Sequence, residues 1–145
     1  MAQIATAAVS ILLSFLTTAA VDLESSFLQS RPDLLLGHLS ARSRLSLSLP
    51  EPVGFSGQLT ARQSFFYFQD VFGRFLTQEF YPESGLPRGV EDGPLIFKAR
   101  WAFRDRRTGE QHALRLFFLF RIESPPPRTG RANPWKITEI KAEKI

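Results

Sequence analysis

The side chains that could do acid–base chemistry are few in this 145-residue sequence, and they are scattered along it. Tyr67 and Asp70 lie in the Phe-rich stretch SFFYFQDVFGRFL. Tyr67 could offer a hydroxyl to a pocket as an acid or hydrogen-bond donor, and Asp70 could act as a base if an apolar wall raised its pKa. Both have a plainer reading. On a helix Asp70 falls beside Gln63 and Arg74 and is expected to be solvated, while Tyr67 is expected to be a core ring with a wet tip. His112 begins a strand near a turn and His38 sits near a helix end, so each is expected to be a surface or capping histidine. Two isolated histidines without a tight acidic cluster imply no metal site. The sequence holds no Walker-type phosphate loop and no G-x-S-x-G elbow, its serines have no evident histidine partner, and no cofactor is implied. No catalytic residue is assigned; Tyr67, Asp70 and His112 remain the candidates.

Charge supplies the second kind of chemistry. Lys98, Arg100, Arg104, Arg106, Arg107, Arg115 and Arg121 concentrate between residues 95 and 122. Where alternation holds they share one face of a hairpin, and Lys98, Arg100, Arg104, Arg115 and Arg121 make up its basic face. Such a face could attract nucleic acid, anionic lipid or an acidic protein patch. Sheet-based nucleic-acid readers interleave aromatics with the charges, whereas here the rings fall on the opposite face, which argues against nucleic acid. The plain alternative is a solvated antiparallel face kept soluble by cations.

These groups must be positioned by one core, because the chain is too short for two. Fourteen Phe against two Trp and two Tyr leave most ring area without a polar handle and in need of burial. The net charge is only +4, and cysteine is absent, which excludes disulfides and thiol chemistry. No charged side chain precedes Asp22. The run Met1–Ala20 is apolar and ends in Thr18, Ala19 and Ala20, like a secretory signal peptide without its basic start. The alternative is an ordinary buried helix. The expected division is therefore 1–20 as signal peptide or apolar helix and 21–145 as a single domain. Export follows in the first case and a cytoplasmic location in the second, with membrane contact only through this segment.

Spacing then gives the order of elements. Val21, Leu23, Phe27 and Leu28 suggest a helix, and Ser30 is expected to cap a second one with Pro32 in its first turn and Leu34, Leu35, Leu36 and Leu39 on its apolar side. RLSLSL at 44–49 has the period of a half-buried strand, which Pro50, Pro52, Gly54 and Gly57 end. Thr60 and Gln63 form a capping-box pattern ahead of a helix whose Phe65, Phe68, Phe72 and Phe75 recur every three or four residues. A strand is expected over 77–81, then a Gly- and Pro-rich connection to Pro94. Leu95–Arg104 and His112–Ile122 alternate as partner strands around the turn at 105–109. Phe117 and Leu119 make the second of these apolar on both faces, so something should cover the outer one. After the loop 124–133 comes a last strand, where Trp135 and Ile137 are two apart but Ile140 three further, the mark of a bulge.

This order, with VDLESSFLQSRPDLLLGHLS, RLSLSLP, LTARQSFFYFQDVF and a closing WKITEI, resembles the nuclear transport factor 2-like cone fold over about residues 19–143, and most of all a group of bacterial exported domains of that fold. The resemblance implies an α+β domain of helices on a strongly curved antiparallel sheet of about four to six strands. Enzymes of the superfamily that isomerise or dehydrate place an Asp or His inside the cone. The expected lining here is Phe65, Phe68, Phe72, Trp101 and Phe118. Two functions are open: a non-catalytic domain that holds a small apolar ligand or a protein partner, including a second copy of itself, and a cone-fold isomerase, dehydratase or hydrolase using Tyr67, Asp70 or His112.

Overall fold

The computed structural model describes residues 17–83, 88–89, 94–123 and 134–145. The apolar run through Leu16, most of the connection after Pro82 and the loop 124–133 lie outside the described residues. Elements follow as α1 (17–28), α2 (Pro32–Leu36), β1 (Leu45–Leu49), β2 (Phe55–Leu59), α3 (Ala61–Arg74), β3 (Phe75–Pro82), β4 (Arg88–Gly89), β5 (Leu95–Asp105), β6 (Gln111–Ile122) and β7 (Trp135–Lys144).

Helix α1 buries a stripe of Ala19, Leu23 and Phe27, four residues apart as one helical face requires. It runs unbroken through positions 20 and 21, so a cut after Ala20 would sever the helix and remove Ala19 from the core. Its end corrects the expected role of Ser30. That residue has a left-handed backbone, φ 55°, and behind it the N–H of Arg31 reaches the Ser26 carbonyl at 2.8 Å while Ser26 Oγ donates to the Arg31 carbonyl at 2.7 Å. Ser30 therefore terminates α1, and Arg31, with no side-chain cap, precedes α2.

Thr60 and Gln63 form the full capping box of α3, with Gln63 N–H to Thr60 Oγ1 at 3.2 Å and Thr60 N–H to Gln63 Oε1 at 2.9 Å. The helix ends at Arg74, and Phe75 opens β3 directly. The 3- and 4-residue spacing of the phenylalanines therefore outlasts the helix, and Phe75 reaches the core from a strand.

The sheet is curved and unclosed. Its order is β2-β1-β7-β6-β5-β3, with β4 added on β5. Two features depart from the sequence reading. Strand β2, FSGQL, pairs antiparallel with β1 in a stretch that its Gly and flanking Pro residues marked as a terminator. And β1 pairs with β7 in parallel, Leu47 opposite Ile140, so the sheet is mixed rather than wholly antiparallel. Parallel neighbours need a long crossover, and here everything from β2 to β6 provides it. The expected bulge is present: Leu119 pairs with Glu139 and Phe120 with Ile137, leaving Thr138 as the extra residue of β7.

The helices cover one face of the sheet, which we call the inner face. Phe97, Ala99, Trp101 and Phe103 on β5 and Leu114, Leu116, Phe118 and Phe120 on β6 are buried there. Asp105 shapes the β5–β6 turn. Its Oδ1 accepts the N–H groups of Arg107 at 2.8 Å and Thr108 at 3.4 Å. Those backbone bonds, with nearby Arg74, hold its carboxyl below the usual carboxylate range. A folded-state pKa depressed in this way contributes stability above the ordinary carboxylate value that is lost as pH falls through the lower one. Asp105→Ala is thus expected to lower stability at neutral pH and to weaken its dependence on acid, which denaturant melts at neutral and acidic pH would measure.

Candidate functional site

The interior of the cone is occupied by Phe27. Its ring stacks on Phe80 at 4.7 Å and meets Phe72, Trp101, Phe118 and Phe68 edge-on at 5.1, 5.2, 6.2 and 6.4 Å. Trp101 in turn stacks on Phe103 at 4.0 Å and donates its indole N–H to Thr77 Oγ1 at 2.8 Å. Phe68, Phe72, Trp101 and Phe118 therefore converge as expected of a lining, but around a side chain of this same protein. Phe65 does not join them. It is half-buried between α2 and α3 and walls two surface grooves.

The polar candidates do not converge. No hydrogen bond or ion pair joins any two of Tyr67, Asp70 and His112 among the described residues. Asp70 is exposed on α3. His112 is partly buried, with its ring 5.5 Å from that of Phe103 and its Nε2 3.6 Å from Glu110, and it borders an open groove of about 450 Å³ with Glu51 and Lys144.

Tyr67 has a dry tip rather than a wet one. Its ring packs on Phe55 at 4.8 Å and Phe68 at 5.3 Å, and its hydroxyl is buried without a hydrogen-bond partner. β2, which the spacing does not predict, supplies Phe55 against the Tyr67 ring. Burial pushes its pKa up to about 12 from 10.0. Between those values the unfolded chain gives up the proton while the folded chain keeps it. The associated stability is complete below pH 10 and lost as pH rises toward the folded value. Tyr67→Phe is expected to be neutral or to stabilise by up to about 1 kcal/mol at neutral pH, since the lost group had no partner. It should also flatten the alkaline limb in denaturant melts followed across that range.

His38 corrects the surface expectation. It is buried, its Nε2 lies 2.8 Å from Asp22 Oδ2, and its carbonyl accepts the N–H of Ile137 at 2.8 Å. It ties α1 to β7. The partner is sixteen residues upstream, a distance at which spacing gives no signal.

The outer face of the sheet carries the remaining chemistry. Ile96, Phe117 and Leu119 are half-buried there, and no described helix covers them. Lys98, Arg100, Arg104, Arg115 and Arg121 share this face, but it is not purely basic. Arg115 donates from Nε to Glu83 at 2.6 Å and from Nη1 to Glu143 at 3.1 Å, and these carboxylates raise its already high pKa. Glu139 and Lys141 of β7 add both signs. Lys98 lies over the Phe117 ring, 5.7 Å from its centre, so an aromatic does accompany these cations. The acids come from Glu83, just past the end of β3, and from β7, both outside the basic hairpin.

With this geometry the chain matches solved structures along nearly its whole length. A ketosteroid isomerase-like protein from Erwinia carotovora atroseptica superposes with a TM-score of 0.67 at 12% identity, covering 92% of this chain and 95% of that one. An NTF2-like protein of unknown function in nutrient uptake from Rhodospirillum rubrum gives 0.63 at 14%, covering 90% and 98%. An NTF2-like protein from Cytophaga hutchinsonii gives 0.60 at 12%, covering 94% and 97%. The chain therefore has the nuclear transport factor 2-like cone fold. No protein-family model and no curated protein matches the sequence.

Proposed function

We propose that this chain is a binding domain rather than a catalyst, and that the outer sheet face holds a second copy of itself. One observation carries the reading: the aromatic interior is filled by Phe27, while Ile96, Phe117 and Leu119 stand on a face that no described helix covers. Apolar side chains at the centre of a mixed-charge surface are the usual composition of a protein interface. A second copy suits this face because it contains both members of the charge pairs needed, cations on β5 and carboxylates on β7.

Sedimentation of the full chain tests the proposal. The wild type is expected to run as a dimer, and Leu119→Asp, which puts a carboxylate into the apolar centre, to run as a folded monomer. A wild type that stays monomeric at high concentration, or a Leu119→Asp variant that dimerises equally well, overturns it.

A further inference from the structure

Arg100 and Arg115 are directly opposite each other on the outer face of β5 and β6, an arrangement that is destabilising for like charges unless each is answered. Arg115 is answered twice, by Glu83 and Glu143. Arg100 makes no hydrogen bond or ion pair among the described residues, and its Nε is buried without a partner. A guanidinium held in place with an orphaned donor is costly in the isolated chain. A carboxylate arriving from outside would remove that cost and add a charge-assisted bond.

The sheet registers indicate where such a carboxylate is found. Arg100 pairs with Arg115, and Arg115 with Glu143, so the three lie at one level across β5, β6 and β7. A two-fold axis along β6, between two face-to-face sheets, keeps that level and exchanges left for right. It lays β5 of each copy over β7 of the other and brings Arg100 to the partner's Glu143. Phe117 and Leu119, on the axis strand, then meet their own counterparts, and so do Arg115, whose charge Glu83 and Glu143 already answer, and Arg121 at the exposed end of the strand. An axis across the strands would lay β5 on β5 in reversed direction, bringing together Lys98, Arg100 and Arg104, none of which has a carboxylate partner among the described residues. At the neighbouring level the same axis sets Lys98 opposite Lys141 of the facing copy, and the Lys98 ammonium lies 5.7 Å from the centre of its own Phe117 ring. Glu143 has the capacity for a second partner: Arg115 takes Oε1, and its side chain is 55% exposed.

We infer that the dimer is held in register by Arg100 of each copy binding Glu143 of the other across a two-fold axis along β6. This rests on the self-association proposed above and adds its geometry and its anchor. The prediction is a reciprocal one. Arg100→Glu and Glu143→Arg are each expected to dimerise about 100-fold more weakly than wild type, because each sets like charges together at both symmetry-related contacts. An equimolar mixture of the two variants is expected to form a heterodimer of near wild-type affinity. In that mixture one contact is wild type and the other is the same pair reversed. The Arg115–Glu143 bond within the Glu143→Arg chain stays broken, so recovery reports the contact between copies alone.

Sedimentation of each variant and of the mixture, with melting curves to show that each is folded, makes the test. Arg100→Gln serves if the reversal at 100 fails to fold, and is expected to weaken dimerisation by about tenfold. Reversal variants that dimerise like wild type, or a mixture that regains nothing, overturn the inference even if Leu119→Asp abolishes the dimer. A wild type that never dimerises removes the parent reading and this one together.

Discussion

Phe27→Ala is expected to destabilise the fold by about 3–5 kcal/mol, the range for emptying a phenylalanine site in a core that cannot collapse around it. Collapse is hindered here because the surrounding rings are anchored on different elements: Phe68 and Phe72 on α3, Phe80 on β3, Trp101 on β5 and Phe118 on β6. Each sits in a strand or helix fixed by its own hydrogen bonds, so closing the hole would require the layers to approach. Denaturant unfolding followed by Trp fluorescence reads the loss, since Trp101 lies 5.2 Å from the Phe27 ring. A change below about 1 kcal/mol would mean that the interior is not filled as described. The same variant examines the alternative of an apolar ligand in the cone. A small aromatic such as benzene should raise the melting temperature of Phe27→Ala and leave the wild type unmoved, because only the variant has room for it.

Thr77→Val has the second largest expected effect, about 1–3 kcal/mol, although the two side chains are nearly the same size. The Thr77 hydroxyl accepts the indole N–H of Trp101 at 2.8 Å, and both residues are buried. Valine would leave that N–H in an apolar surrounding with no water to replace the bond, and an unsatisfied buried donor costs more than a made bond contributes. A double-mutant cycle with Trp101→Phe separates this from packing. Once the indole N–H is absent, Thr77→Val should cost well under half of its effect in the wild type. Equal costs in both backgrounds would assign the effect to shape instead.

Locally coded features were legible. The capping box at Thr60 and Gln63, the alternation through Leu95–Asp105 and Gln111–Ile122 and the bulge between Ile137 and Ile140 all depend on neighbours within a few residues. Strand β2 was hidden because Gly57 stands where the alternation of Phe55 and Leu59 needs a third apolar side chain, and because Pro50, Pro52 and Gly54 precede it; β1 holds it in place by backbone pairing. The end of α3 was hidden because the phenylalanine spacing continues past the point where the backbone extends. Of the candidate site, the chemistry of the residues could be listed from their types, but their company could not. The Tyr67 hydroxyl is buried while its ring packs on Phe55, His38 gained Asp22, and the basic hairpin acquired Glu83 and Glu143 from outside itself.

The sequence by itself determined the α+β class, the single Phe-rich core and the face on which each strand of the hairpin presents its cations. Those properties follow from side-chain period and burial preference, which act over a few residues. Only the tertiary structure decided that β1 joins β7 in parallel, that Phe27 rather than a ligand fills the space among the rings, and that Arg115 is neutralised while Arg100 is left without a partner among the described residues. Each of those outcomes depends on which distant segments become neighbours. That choice is made by the packing of the whole chain, because the same local pattern is compatible with several sets of neighbours until the layers close.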